Sequence, residues 1–186
     1  TLNRLKESID PANGHTRQTL DALDQITQVS DPRDIATTYA VNSFGDMTQE
    51  ISADRGTITY TYDTAGNLKT VIDARGVKHM YTWDALNRPT KRIHTTVTGV
   101  PGATALIWSY DTGTNGIGRL TGMTDESGST SFSYDLHGRL LNKTQIAKIG
   151  TINYTQTLGY QYDSFGRLSQ MTYPSGTQVS TTYGAD

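Results

Sequence analysis

The sequence predicts an all-β chain: tandem antiparallel β-hairpins laid side by side as a wide, curved, meandering sheet. Three observations carry this prediction. Equivalent residues recur every 21 positions, Thr alternates with apolar side chains between the recurrences, and each recurrence runs into a tetrapeptide with turn chemistry.

The period is clearest between Leu20 and Trp83, where Leu20-Asp21, Val41-Asn42, Tyr62-Asp63 and Trp83-Asp84 are equivalent pairs. Other columns keep the same register, among them Ile26, Met47 and Leu68, and Tyr39, Tyr60 and Tyr81. Upstream, Leu5 stands 21 residues before Ile26, and Asp10-Pro11 stands 21 before Asp31-Pro32. Downstream the spacing loosens through Tyr110-Asp111, Tyr134-Asp135 and Tyr162-Asp163, and Tyr183 restores it. One repeat array is therefore expected over residues 1–186, with units near 1–19, 20–40, 41–61, 62–82, 83–109, 110–133, 134–161 and 162–182 and a further unit beginning at 183–186. An array that starts and stops in mid-unit, without an initiator Met or a signal-peptide core, reads as a segment of a longer chain.

The unit beginning at Thr57 shows how each element arises. In Thr57-Ile58-Thr59-Tyr60-Thr61-Tyr62, alternation puts Ile58, Tyr60 and Tyr62 on one face and the threonines on the other, the pattern of a half-buried strand. Asp63-Thr64-Ala65-Gly66 follows, with an Asp able to accept backbone N–H groups at the first position of a type I turn and a Gly able to take positive φ at the fourth. Asn67 to Ile72 supplies the return strand. The turn recurs as Asn42-Ser43-Phe44-Gly45, Asp135-Leu136-His137-Gly138 and Asp163-Ser164-Phe165-Gly166, and Asp84-Ala85-Leu86-Asn87 uses Asn instead of Gly. A second turn closes each unit, as at Asp31-Pro32-Arg33-Asp34 and Asp73-Ala74-Arg75-Gly76.

Three insertions interrupt the period: a longer hairpin tip over Thr95 to Thr104, an enlarged turn from Asp111 to Gly118, and a lengthened hairpin around Gly150 between Lys143 and Thr157. All fall at turns, where a sheet tolerates extra chain. A single unit has too few apolar side chains to offset the ordering of its backbone, so neighbouring strands and a second surface must contribute. With strands about 4.8 Å apart, a ribbon of this many units is expected to curl.

Composition narrows the function classes. The net charge is −2, which leaves no basic footprint for nucleic acid. The absence of cysteine removes disulfides and thiolate metal sites. No apolar run approaches the ~20 residues of a membrane span.

The runs Tyr62-Asp63-Thr64-Ala65-Gly66-Asn67-Leu68, Tyr134-Asp135-Leu136-His137-Gly138-Arg139-Leu140 and Tyr162-Asp163-Ser164-Phe165-Gly166-Arg167-Leu168 resemble the YD repeat, Y-D-x-x-G-[RN]-L, of Rhs proteins. Weaker units depart from it: Leu20, Val41 and Trp83 replace the Tyr, Asn42 the Asp, Asp24 and Asn87 the Gly, and Pro89 the Leu. The resemblance implies a segment of a hollow β-shell that encloses a C-terminal toxin domain, as in bacterial effectors, insecticidal toxin-complex subunits and, for the shell, animal teneurins. It also implies a secreted or exported bacterial protein whose partners are the rest of its own shell and the enclosed toxin. The closing motif of such shells, of the P-x-x-x-x-D-P-x-G-L type, does not occur in this sequence. Asp10-Pro11 and Asp31-Pro32 share only its Asp-Pro dipeptide.

Reactive chemistry finds little footing. The repeated Asp residues are read as turn caps, because an acid catalyst needs a convergent partner. His15, His79, His94 and His137 lack metal-ligand spacing, and Gly113 to Gly118 is not followed by the Lys-Ser/Thr of a phosphate loop. The expectation is a non-enzyme with neither metal nor cofactor. Tyr60, Tyr62, Tyr81, Trp83, Tyr110, Tyr134, Tyr160 and Tyr162 read as a cross-strand aromatic ladder, with glycan binding for cell-surface adhesion as the alternative use. Arg139 and Arg167, with Lys69, are expected to pair with turn Asp residues. The repeat-defining set is Tyr62, Asp63, Gly66, Leu68, Trp83, Asp84, Tyr110, Asp111, Tyr134, Asp135, Gly138, Arg139, Leu140, Tyr162, Asp163, Gly166, Arg167 and Leu168. Unpaired sheet edges are expected to promote self-association.

Overall fold

A computed structural model describes residues 4–95 and 105–184. The hairpin tip expected between Thr95 and Thr104 falls, from 96 onward, outside the described residues. The chain divides into two units, Thr1–Arg88 with Ile93–Ala103, and Pro89–Arg92 with Thr104–Asp186.

The first unit contains β1 (Glu7–Ile9), β2 (His15–Leu20), β3 (Ile26–Ser30), β4 (Ala36–Val41), β5 (Met47–Ser52), β6 (Gly56–Tyr62), β7 (Leu68–Ile72) and β8 (Lys78–Trp83). Each pairs antiparallel with the next in chain order. β9 (Pro89–Thr95) carries the division between units. The second unit is an equivalent meander of β10 (Ala105–Tyr110), β11 (Leu120–Asp125), β12 (Gly128–Tyr134), β13 (Leu140–Ile149), β14 (Ile152–Tyr162), β15 (Leu168–Thr172) and β16 (Gln178–Ser180). All secondary structure among the described residues is strand and turn, so the all-β meander is the observed fold. No helix of the described residues is long and apolar enough to cross a membrane.

The YD turns add a bulge to a plain type I turn. At Asp63 the backbone N–H donates to the Asn67 carbonyl at 2.9 Å and Gly66 N–H donates back to the Asp63 carbonyl at 3.1 Å. Gly66 has φ +82, and the pairing register shifts between Thr61 and Tyr62. This is a three-residue hairpin connection: a type I turn closed by a bulge whose last residue must be left-handed. Asp24 and Asn87, which replace the Gly, take φ +65 and +58, the residue types that tolerate this region at least cost.

Register explains the two-faced pattern. On one face Tyr39, Glu50 and Ile58 align across three strands, and Tyr60 pairs with Val71. On the other, Thr61 opposes Thr70 with the hydroxyls 2.6 Å apart. Among the described residues no apolar side chain is fully buried, whereas Glu50 is only 5% exposed and ion-pairs with Arg55. Among the described residues of each unit, strands touch only their chain neighbours. Each sheet is therefore a single layer whose apolar face lacks a second layer within its own unit.

The two insertions that fall within the described residues sit where expected. The enlarged turn separates β10 from β11, and the hairpin of β13 and β14 runs through eight register pairs before turning at Gly150. Asp111, at φ +62, caps its longer turn differently from the other YD aspartates: its carboxylate accepts from Gly118 N–H at 2.6 Å.

Candidate functional site

The chemistry-bearing side chains converge on the joints between successive repeats. In the YD turns one oxygen of the Asp accepts two backbone N–H groups, from the residues two and four positions on. Asp63 binds Ala65 and Asn67, both at 2.9 Å; Asp84 binds Leu86 and Arg88 at 2.8 and 3.0 Å; Asp135 and Asp163 bind His137 and Arg139, and Phe165 and Arg167, all at 2.9 Å. The second carboxylate oxygen takes the Arg side chain, Asp84 from Arg88 at 2.7 Å, Asp135 from Arg139 at 2.6 Å and Asp163 from Arg167 at 2.8 Å. Asp63 instead takes the Asn67 amide at 3.2 Å. On the opposite rim Asp31 and Asp73 are held by the guanidinium forks of Arg33 and Arg75.

The joint itself is made by the YD aromatic residue. Tyr62 Oη donates to the Met47 carbonyl at 2.8 Å, Trp83 Nε1 to Leu68 at 2.7 Å, Tyr110 to Pro89 at 3.0 Å, Tyr134 to Leu120 at 2.6 Å, Tyr162 to Leu140 at 2.9 Å and Tyr183 to Leu168 at 2.9 Å. Every acceptor is the Leu-position residue of the preceding repeat. Strand pairing stops just short of it: the β7–β8 ladder ends at Thr70 and Met80, and the β15–β16 ladder at Gln170 and Ser180. The aromatic donor thus binds a carbonyl just past the end of the ladder. The Arg of one repeat covers the ring of the next. Arg119 lies 5.7 Å from the Tyr134 centroid, Arg139 4.7 Å from Tyr162 and Arg167 4.2 Å from Tyr183. Arg139 and Arg167 are each shared by their own Asp and the following Tyr.

This corrects the ladder expectation. The YD tyrosines act through hydroxyl-to-carbonyl bonds and guanidinium–ring contacts between repeats, while the Tyr81–Trp83 stack, centroids 6.4 Å apart, runs along one strand. It also separates the departures from the motif. Trp83 keeps a donor and makes the bond, whereas Leu20 and Val41 carry no donor. Gln18 reaches the Leu5 carbonyl at 2.5 Å where Leu20 cannot. Among the described residues no group of three His, Asp or Glu is arranged to hold a metal ion. An open groove of about 640 Å³ lies beside the Tyr62 joint, lined by Asn42, Phe44, Asp46, Tyr60, Tyr62 and the turn at 63–66.

The carboxylates of Asp31, Asp63, Asp73, Asp84, Asp135 and Asp163 are held below the ordinary Asp range. For Asp63 and Asp84 the main cause is the backbone N–H four residues on, and for Asp73 it is Arg75. For Asp135 and Asp163 burial is the largest influence and pushes upward, but the Arg139 and Arg167 backbone and side-chain bonds together outweigh it. A depressed folded-state value means that the stabilisation is fully present above the unfolded Asp pKa of ~3.9 and is lost as pH falls through the folded values. The thermal midpoint followed by circular dichroism is therefore expected to stay level from about pH 7 to 5 and to drop below about pH 4. A midpoint unchanged at about pH 2.5 contradicts this role of the turn aspartates.

A model of the RHS repeat matches residues 41–78, 115–147 and 155–178, about half of the chain. No curated protein sequence matches it. Among solved structures, the crystal structure of TcdB2-TccC3-TEV aligns over 97% of this chain at 20% identity and TM-score 0.78, using 11% of that chain. The Tc holotoxin pore of Photorhabdus luminescens aligns over 91% at 18% identity and TM-score 0.78, using 10% of its counterpart. TcdB2-TccC3 without its hypervariable C-terminal region aligns over 95%, again at 18% identity and TM-score 0.78, using 10% of that chain. At such identities the likeness is one of fold, and the chain spans about a tenth of the length of the chains it matches.

Proposed function

The chain belongs to the RHS-repeat family, and from that premise we propose that it is a stretch of wall in a hollow β-shell enclosing a toxin domain of the same exported bacterial protein. The observation that carries this reading is the single-layer sheet: among the described residues no apolar side chain is fully buried. A globular enzyme of this length organises its site around a packed interior. A wall has two faces and needs none.

The joints suit that role. From Tyr62 onward the YD aromatic residue ties its repeat to the preceding one through an O–H or N–H donated to a backbone carbonyl, and the later ones also carry an Arg on the following ring, so the sheet can lengthen by similar steps without a core. In this reading the segment acts by steric exclusion, has no catalysis of its own, and has as partners the remainder of the shell and the enclosed domain.

The test shortens the wall without breaking its register. Removing residues 62–82 from the full-length product takes out one repeat and lets Trp83 take the place of Tyr62 after Thr61. The enclosed domain, protected from added protease in the intact protein, is expected to become cleavable. Equal protection in both proteins overturns the container reading.

A further inference from the structure

One joint carries the opposite charge where the later joints carry an arginine. At the turn Asp163-Ser164-Phe165-Gly166-Arg167, the Arg167 guanidinium lies between two rings, 5.1 Å from the Phe165 centroid and 4.2 Å from that of Tyr183. Its Nε is 2.8 Å from Asp163. The turn Asn42-Ser43-Phe44-Gly45-Asp46 has the same ring positions at the same spacing. Phe44 stands for Phe165 and Tyr62 for Tyr183. The hydroxyls make the same bond, Tyr62 to Met47 at 2.8 Å and Tyr183 to Leu168 at 2.9 Å.

The difference is Asp46 in the place of Arg167. The guanidinium is missing and the charge is reversed, and the groove of about 640 Å³ opens at this joint. Phe44 is 89% exposed at its lip. One Asp46 oxygen accepts the Asn42 amide at 3.0 Å. Asp63 is a second carboxylate in the lining, and no lining residue is basic. Asp46 is close enough to add to the burial that raises the Tyr62 hydroxyl pKa.

We propose that this groove binds an arginine side chain presented by another polypeptide segment, its guanidinium between Phe44 and Tyr62 and paired with Asp46, as Arg167 lies between Phe165 and Tyr183. A planar cation that stacks on rings and donates to a carboxylate matches all three groups, whereas a neutral ligand leaves the carboxylate unanswered. The inference stands independently of the container reading, because it rests on a comparison of two joints within the chain.

Nα-acetyl-arginine amide and its neutral isostere Nα-acetyl-citrulline amide, titrated into the ¹⁵N-labelled chain, separate the outcomes. The arginine probe is expected to give saturable amide shifts at Gly45, Asp46 and Gly66, and the citrulline probe none. Asp46→Arg supplies the guanidinium from within and has the Arg167 joint as its precedent for folding; it is expected to lower affinity at least ~10-fold, as is Asp46→Asn, which removes only the charge. Absence of saturable shifts with the arginine probe, equal shifts with citrulline, or unchanged affinity in both variants overturns the proposal.

Discussion

Gly128→Ala is expected to destabilise the second unit by roughly 4 kcal/mol, from ~1–3 kcal/mol of backbone strain and ~1–3 kcal/mol of overpacking. Gly128 opens β12 and is paired on both sides, with Asp125 across the turn and with Ala147 on β13. Its φ is +142, and a Cβ placed there falls 1.8 Å from the Ile146 carbonyl oxygen and 2.9 Å from its carbon. The obstacle is backbone, so no side-chain rotation relieves it. β13 must move, yet its long ladder with β14 and the bond from Lys148 N–H to the Ser127 carbonyl at 2.7 Å resist that. Gly150→Ala is the control: Gly150 is left-handed at φ +62 but has open space around it, so its cost is limited to about 1–2 kcal/mol of conformational strain. Urea unfolding gives the two free energies, and hydrogen exchange locates the loss, expected in β11 to β14. Equal costs for the two substitutions contradict the account.

The turns were legible in the sequence because their determinants are local. Asp63 and the backbone groups it caps lie within five residues, so residue types at fixed offsets suffice to place the cap, the left-handed fourth residue and the strands on either side. The same holds for Asp24 and Asn87, whose residue types announce the positive φ they adopt. The joints were not legible in this way. The partner of Tyr162 is the carbonyl of Leu140, twenty-two positions earlier and beyond an inserted hairpin, and a carbonyl leaves no mark on residue identity. The compact units do carry a trace of it, since Met47 to Tyr62, Leu68 to Trp83 and Leu168 to Tyr183 share one offset. Reading the aromatic residues as a cross-strand ladder assigned their rings to one another, when the ring belongs to the preceding Arg and the hydroxyl to the preceding carbonyl. Trp83 shows the cost of reading the motif by letter alone: as a departure from Tyr it looks like a weakened unit, but its indole N–H makes the same bond.

Removing Tyr162 tests the joint in two steps. Tyr162→Phe keeps the ring under Arg139 and loses only the bond to Leu140, so the expected cost is ~1 kcal/mol, the net worth of one hydrogen bond. Tyr162→Ala also loses the ring, and with it the half-buried apolar surface and the guanidinium contact, which raises the expected cost to about 3 kcal/mol. Part of the difference resides in Arg139, because this side chain is shared between Asp135 and the Tyr162 ring. Replacing Arg139 with Gln in each background therefore brings the Tyr→Ala cost closer to the Tyr→Phe cost, a coupling that a double-mutant cycle measures directly. The converse substitution works where the donor is missing: Val41→Tyr, offset from Ile26 as Tyr62 is from Met47, is expected to add up to ~1 kcal/mol. If Tyr162→Phe costs as much as Tyr162→Ala, the ring contributes nothing and the Arg–Tyr half of the joint is wrong. If Tyr162→Phe costs nothing, the hydroxyl does not join the repeats, and successive hairpins are held by their strand ladders and the Arg–ring contact.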